Sequence, residues 1–494
     1  MTLFIVVALI LCLALIVFYR TFRLRDHRRT TPSPALYAPR GSEGDAVDER
    51  TTQAVDRFRQ AIRFATVTPG ESEQGAALLL DQFQEFLAVS YPSFHAAAER
   101  TSLGSFGVTY RWPGLKRDLR PVLLVAHYDV VPVEASKWSH PPFAADLVRE
   151  EGVDFVYGRG ALDTKNTLIA IMESCEALAI SGFRPSHDVY IAFGGDEELN
   201  GTRGARVMAH GFAEQGIHFA WVHDEGGLVS DGSLPGITTP LAVVGVDEKG
   251  YTNLTLAVVQ PPGHSSRPPH VQAAAVLGRA LSRLEWHPFP LRLIPSVRSF
   301  FEGLVPFVDF GRAVLLANLW LFRPLFFFAM SGNPTVLSLL QTTLAMTMLS
   351  GGTAANVLPD RVEATLNLRL LPGWSVPSVL ERVRRAVGDD RVAVSLAPGF
   401  LNEEPVVGRG VGPGFQTVKA AVEAAFPGVP VLPYLTTGQT DSRHYAGVAD
   451  EILRFAPMRL TPSELDRIHG NDERISVENF ISGIRFYEAL LRSV

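Results

Sequence analysis

Among the residues that could do chemistry, His127 and Asp129 stand out, because they close the run Val122-Leu123-Leu124-Val125-Ala126-His127-Tyr128-Asp129. An apolar, β-branched run of this length reads as a buried parallel strand, and in open α/β sheets chemistry gathers at the carboxyl ends of strands. A His-x-Asp placed there starts a metal site or an acid–base pair, although alone it is equally explained by capping or core packing. The pattern recurs. Asp163 follows Gly158-Arg159-Gly160 and precedes the apolar stretch Thr167 to Leu178, where it also reads as a helix N-cap. Asp188 to Gly194 is another strand-like run, emptying into Asp196-Glu197-Glu198, and Phe219 to Val222 ends in His223-Asp224-Glu225. Adjacent carboxylates raise one another's pKa unless a cation or solvent screens them. Four such strand ends converging on one rim call for bound cations.

Imidazole and carboxylate ligands without cysteine suit catalytic rather than structural zinc. Cys12 and Cys175 lie away from these motifs. A carboxylate such as Asp163 can bridge two metals roughly 3.5–4 Å apart, the spacing of hydrolytic two-metal centres. His469, flanked by the turn residues Gly470 and Asn471, offers a late imidazole ligand.

Taken in order, these motifs carry a family resemblance. His127-Tyr128-Asp129-Val130-Val131-Pro132 comes first, then Gly158-Arg159-Gly160 leading to Asp163 and Lys165. Asp196-Glu197-Glu198 follows with Gly201 beyond, and His469-Gly470 leads to Glu473. From about Asp56 to Val494 the chain resembles the co-catalytic zinc aminoacylase/carboxypeptidase family. Asn318 to Phe322 and Thr440 to Arg443 look specific to its carboxypeptidase S branch, which includes N-fatty-acyl-amino-acid synthase/hydrolases.

The resemblance implies two Zn²⁺ per chain, one held by His127, Asp163 and Asp224, the other by Asp163, Glu198 and His469. It implies that Asp129 orients the His127 ring and that Glu197 is the general base. His264, in Pro262-Gly263-His264-Ser265-Ser266, would polarise the scissile carbonyl, and Asn356, Arg369 and Arg443 would hold a substrate carboxylate. The activity expected is cleavage, and possible reversal, of the amide bond of an N-acyl amino acid, with a fatty acyl group favoured. A carboxypeptidase S-like peptide carboxypeptidase or dipeptidase uses the same site. A non-enzymatic receptor on this fold is expected to lose ligands, and here the ligand positions are filled. No Gly-x-Ser-x-Gly elbow supports a serine hydrolase.

The elements that must position these residues follow from the rest of the chain. Its 494 residues, 47% apolar and 19% charged, suit a globular protein of two or three domains. A net charge of −6 gives no reason to expect nucleic acid. Residues 1–19 read as a transmembrane anchor, because Leu3 to Tyr19 is unbroken and apolar with no basic residue before it. Arg20, Arg23, Arg25, Arg28 and Arg29 follow at once, and the positive-inside rule would keep that flank cytoplasmic. An uncleaved signal-anchor that translocates the C-terminus is the competing reading. Residues 20–50 read as a basic flank and flexible linker.

Residues 51–246 and 401–494 alternate strand-like and helix-like segments, so a mostly parallel sheet covered by helices is expected for the catalytic domain. Residues 247–400 follow a β-α-β-β-α-β order, which predicts an inserted ferredoxin-like domain, the lid in the family. Inside it, residues 301–330 form an apolar insertion broken by Arg312, Arg323 and Pro324. That insertion reads either as a buried helical hairpin or as a wall for acyl chains resting on a bilayer.

Overall fold

The computed structural model describes residues 2–26, 49–68, 73–232, 237 and 239–494; the expected linker lies almost entirely outside the described residues. A mixed ten-stranded sheet organises the larger part of the chain. At its centre Val189–Gly194, Val122–His127, Phe219–Asp224 and Ala449–Arg454 run parallel in that spatial order. Val122–His127 is buried at every residue because both faces are covered. Val122, Leu124 and Ala126 pack on the side of helices Lys165–Ile180 and Val477–Arg492. Leu123 and Val125 pack on the opposite side, against Met208, Phe212 and Tyr445. The period of two along a strand thus feeds two cores from one run of six residues.

Val122–His127 lies between the two sheet strands that follow it in the chain, so successive crossovers leave towards opposite sides. Such a switch point opens a crevice at the carboxyl ends, and His127 sits at that end. One expectation needs correction here. Asp163 does not follow a strand of this sheet: Val153–Tyr157 pairs with Leu147–Glu150 and Arg474–Ser476 in a separate three-stranded sheet. Three central strands, not four, supply the rim, and Asp163 reaches it from the turn before helix Lys165–Ile180.

The inserted segment forms a four-stranded antiparallel sheet in the order Thr343–Gly351, Arg361–Leu370, Gly250–Val259, Ala393–Leu396. Helices Ala273–Trp286 and Val376–Val387 cover it and share one core with it. Its chain order and strand order are those of a ferredoxin-like unit. Arg361–Leu370 alternates buried and more exposed residues along its whole length, as a strand with one covered face must. Val376–Val387 starts at a capping box between Ser375 and Ser378 and stops at Gly388, which turns left-handed at φ 55°.

Between these bodies the apolar insertion folds as helices Pro295–Gly303, Phe310–Ala317, Leu319–Met330 and Pro334–Leu340. They share a core with Leu241, Leu432 and Leu435 of the large sheet and with Leu371 of the inserted unit. The N-terminal helix, Thr2–Asp26, does not stop at Tyr19 but continues through Arg20, Arg23 and Arg25.

Candidate metal centre

The rim of the central sheet gathers two histidines around one carboxylate. His127 Nε2 lies 3.0 Å from Asp163 Oδ1, and His469 Nε2 lies 2.9 Å from Asp163 Oδ2. Glu225 Oε1 is 3.3 Å from His127 Nε2, and Glu198 Oε1 is 3.2 Å from His469 Nε2. Two donor sets therefore share Asp163: His127, Asp163 and Glu225, and Asp163, Glu198 and His469, each with ligand atoms within 4.8 Å of one another. A third such group joins His127 to Glu197 and Glu198. One carboxylate with an oxygen towards each imidazole is the arrangement a bridging ligand between two cations requires.

Asp224 is not part of this arrangement. Its Oδ1 accepts from the Glu225 N–H at 2.9 Å and its Oδ2 from the Ser442 N–H at 2.7 Å. Neighbouring side chains at a strand end point to opposite sides, so with Asp224 turned towards the 440–443 loop, Glu225 faces His127. The place expected of Asp224 beside His127 and Asp163 is thus taken by the carboxylate of the next residue in the same motif.

Burial and mutual repulsion set the electrostatics. Burial, with Asp163 beside it, pushes Glu225 up to about 7. Burial likewise holds Glu197 well above the ordinary carboxylate range, and Asp441, Glu225 and Glu198 add to it. Glu198 is raised chiefly by burial. Burial also opposes charge on His127, yet Glu225, Asp129 and Asp163 outweigh it and raise its pKa well above the usual imidazole value. Hydrogen bonds with Asp163 and Glu198 lift His469 to about 10. The histidines thus carry the counter-charge to a ring of carboxylates, a role that divalent cations take while leaving the imidazoles neutral as ligands. Nitrogen and oxygen donors without sulfur suit zinc in a catalytic site.

The supporting hydrogen bonds are extensive. His127 Nδ1 lies 3.0 Å from the Asp129 backbone oxygen and 3.4 Å from its Oδ1, contacts that restrict the orientation of the ring. The same carboxylate accepts from Thr68 Oγ1 at 2.6 Å and from the N–H groups of Glu197 and Glu198 at 3.1 and 3.2 Å. Asp129 therefore ties the histidine strand to the turn that presents both glutamates.

A second brace, not anticipated, is the buried pair of Arg159 and Glu473, 2.5 Å apart. Glu473 Oε1 accepts from the N–H groups of Leu162 and Asp163, while Arg159 Nη2 donates to the carbonyls of His469 and Gly470. The loop of Asp163 and the loop of His469 are clamped together across 314 positions of sequence. Both residues stand inside the motifs read above, but no spacing rule pairs them.

The four expected substrate contacts separate into two groups. His264 and Asn356 lie side by side and exposed on the two-stranded ribbon Gly263–His264 and Val357–Leu358, where the Ser265 N–H donates to the Asn356 carbonyl. Among the described residues no hydrogen bond links either side chain to the rim. Arg369 is half-buried, with its guanidinium 4.7 Å from the Tyr251 ring centroid. The Arg443 side chain donates to the carbonyls of Thr440 and Asn200 at 2.8 and 3.0 Å. Its two terminal nitrogens are engaged by backbone, so it braces the turn after Glu198 instead of presenting a free fork.

Beside the rim a cavity of about 460 Å³ begins at Asp163 and Glu225. Its lining is mostly apolar, with Leu228, Ile237, Leu241, Val243, Phe300 and the Tyr434 ring set beside hydroxyls such as Thr239 and Thr335. Sequence periodicity gave no sign of it, because its walls come from the sheet edge, the 297–340 helices and the strand Val431–Thr436.

The family model for "Peptidase family M20/M25/M40" matches residues 123–493. The chain is 35% identical to N-fatty-acyl-amino acid synthase/hydrolase PM20D1 of Xenopus tropicalis, over 91% of this chain and 87% of that protein. It is also 35% identical to probable carboxypeptidase S-like 2 of Dictyostelium discoideum, with the same coverage. Among solved structures, the M20 family metallo-carboxypeptidase Sso-CP2 of Sulfolobus solfataricus superposes with TM-score 0.65 at 18% identity, covering 90% of this chain and 99% of that one. Human carnosine dipeptidase 1 gives 0.62 at 14% identity, covering 90% and 96%. The protein belongs to peptidase family M20/M25/M40 and is a metal-dependent hydrolase of that family.

Proposed function

We propose that this protein is a membrane-anchored dizinc hydrolase that cleaves, and at high product concentration forms, the amide bond of N-acyl amino acids with long acyl chains. The observation that carries the reading is the cavity that begins at Asp163 and Glu225 and whose lining is mostly apolar, with Leu228, Ile237, Leu241, Val243 and Phe300 on its wall. An acyl chain extended along that wall leaves its amide at the two donor sets. Similarity to synthase/hydrolases of N-fatty-acyl amino acids supports the same substrate class. Similarity to carboxypeptidase S-like proteins supports the second reading, a peptide carboxypeptidase using the same site.

One zinc would be held by His127, Asp163 and Glu225, the other by Asp163, Glu198 and His469. Zinc supplies Lewis acidity to the scissile carbonyl and lowers the pKa of water. Glu197, presented by the Asp129-bound turn, takes a proton from the attacking water and returns it to the leaving amine. Arg369 and Asn356 would take the free carboxylate, and Arg443 holds the turn carrying Glu198 in place. His264, exposed on the ribbon, would reach the developing oxyanion when the lid closes over the cleft.

The N-terminal helix supports anchoring, since Phe4–Asp26 is long and apolar enough to cross a membrane. The test is steady-state kinetics of the purified enzyme on N-acyl amino acids of graded chain length and on dipeptides. Long-chain substrates should give the highest kcat/KM; a preference for acetyl or dipeptide substrates promotes the carboxypeptidase reading.

A further inference from the structure

The N-terminal helix does more than lead into the fold. Its first turns expose Phe4, Leu9 and Leu15, but its last turns are built into the apolar insertion. Phe18 stacks on Phe310 at 6.3 Å between ring centroids, and Phe22 meets the same ring at 5.9 Å. Arg20 Nε donates to the Ala317 carbonyl at 3.2 Å, and Arg25 Nη1 to the Val308 carbonyl at 3.3 Å.

A buried polar latch completes the joint. Helices Phe310–Ala317 and Leu319–Met330 meet at a bend of 118°, and Asn318 at that bend is wholly buried. Its Nδ2 lies within bonding distance of Thr21 Oγ1 at 3.2 Å and of the Val17 and Val314 carbonyls at 3.3 and 3.0 Å. Removing the helix would strip that buried amide of its Thr21 and Val17 partners, so a leader removed after export fits this joint poorly.

The bent pair is apolar enough to enter lipid but cannot cross it. Its 8- and 12-residue helices are about 12 and 18 Å long, against a hydrocarbon core of about 30 Å. Its outer face presents Trp320, Leu325 and Phe328, which are 46%, 55% and 80% exposed. From the same helix Phe326 turns inward onto Phe301 at 4.9 Å, and Phe300 beside it packs on Tyr434 at 5.4 Å. Phe300 and Tyr434 line the cavity that ends at Asp163 and Glu225. A single line of packed rings therefore joins the exposed apolar face to the cavity wall.

We infer that the 310–330 hairpin is a platform half-embedded in the lipid bilayer, latched to a retained N-terminal helix, which holds the apolar cavity against the membrane surface. The occupant of the exposed face is lipid, because that face is continuous with a helix long enough to span the bilayer. Trp320 and Arg323 on the hairpin are residue types that settle at the interface. This inference rests on the anchored reading above, but not on the substrate.

The test uses the full chain with Cys12→Ser, reconstituted in phosphatidylcholine/phosphatidylglycerol vesicles without substrate. A nitroxide is attached at Phe328→Cys or, for reference, at Trp286→Cys, an exposed position on the inserted unit. After flotation, collisions with oxygen and with a water-soluble nickel chelate are compared by spin resonance. The label at 328 should collide severalfold more with oxygen than with the chelate, and the label at 286 the reverse. A vesicle-bound protein whose 328 label is as open to the chelate as 286 overturns the platform and leaves the anchor standing. A protein that does not float overturns both. Strong spin–spin broadening at 328, the mark of a second copy over the face, also overturns it.

Discussion

At the rim, Asp129 is tied to Thr68, Glu197 and Glu198, and Arg159 with Glu473 clamps the loops of Asp163 and His469. Along the cavity wall apolar side chains drawn from separate parts of the chain dominate, and the hydroxyls among them, such as Ser230, Thr239 and Thr335, form no comparable network among the described residues. The two regions meet at Asp163 and Glu225. Charge and hydrogen bonds hold the first to one geometry, as chemistry on a scissile bond demands. Shape alone defines the second, which then discriminates by length and tolerates change. Damage at the rim should therefore fall on every substrate alike, and damage at the wall should fall on some.

The sharpest break is at the strand end. Glu225→Ala should lose zinc from the His127 side and abolish turnover of long and short substrates, whereas Asp224→Asn should keep its metal. Metal analysis of both purified variants decides it, and zinc loss confined to Asp224→Asn would restore the ligand set expected from resemblance. Next in size, Glu197→Gln should keep its zinc and lose turnover by about 10²- to 10⁴-fold for all substrates. Near-normal turnover would assign the base elsewhere.

At the wall the effect should be smaller and selective. A Cβ at Gly438, which lines the cavity, meets no atom within 4 Å, so Gly438→Leu can fill space without a backbone clash. Displacing two methylenes of acyl chain costs about 1.6 kcal/mol, roughly 15-fold in kcat/KM for long chains, while the acetyl rate should be unchanged. Equal losses for both substrates would mean that the wall and rim are not independent.

The last effect leaves turnover aside and concerns stability alone. Burial lowers the His223 pKa to about 3, and neither ring nitrogen has a hydrogen-bond partner among the described residues. Between pH 3 and about 6.5 the unfolded chain binds the proton and the folded one does not, so this residue makes stability fall as pH falls. Over that window His223→Phe should remove about 1.4 kcal/mol per pH unit of acid dependence. Unfolding midpoints of chelator-treated protein against pH would show it, and parallel slopes would contradict it.

How much of this was legible beforehand depends on whether the cause is local. A run such as Val122 to Ala126 is apolar at every position because both its faces are covered, so strand, burial and the catalytic end could be read together. The strands and helices of the inserted unit were legible for a related reason, since one covered face imposes the alternation seen along Arg361–Leu370. His127, Asp163, Glu197, Glu198 and His469 were found because each stands in a short motif, and the structure assembles them.

The rest is decided between segments. Asp224 and Glu225 are adjacent carboxylates of similar character, and composition cannot say which of them faces His127. The choice is made by the Ser442 N–H, which comes from a loop 218 residues away and engages the other carboxylate. The Arg159–Glu473 clamp, the cavity wall and the joint between Asn318 and Thr21 likewise exist only after distant pieces meet. The sequence by itself determined which side chains were available to hold metal and that they sit at strand ends and turns. Tertiary structure alone determined which of two neighbouring carboxylates enters the site and how much apolar space opens beside it, because hydrogen-bond partners and cavity shape are properties of packed surfaces and not of any one segment.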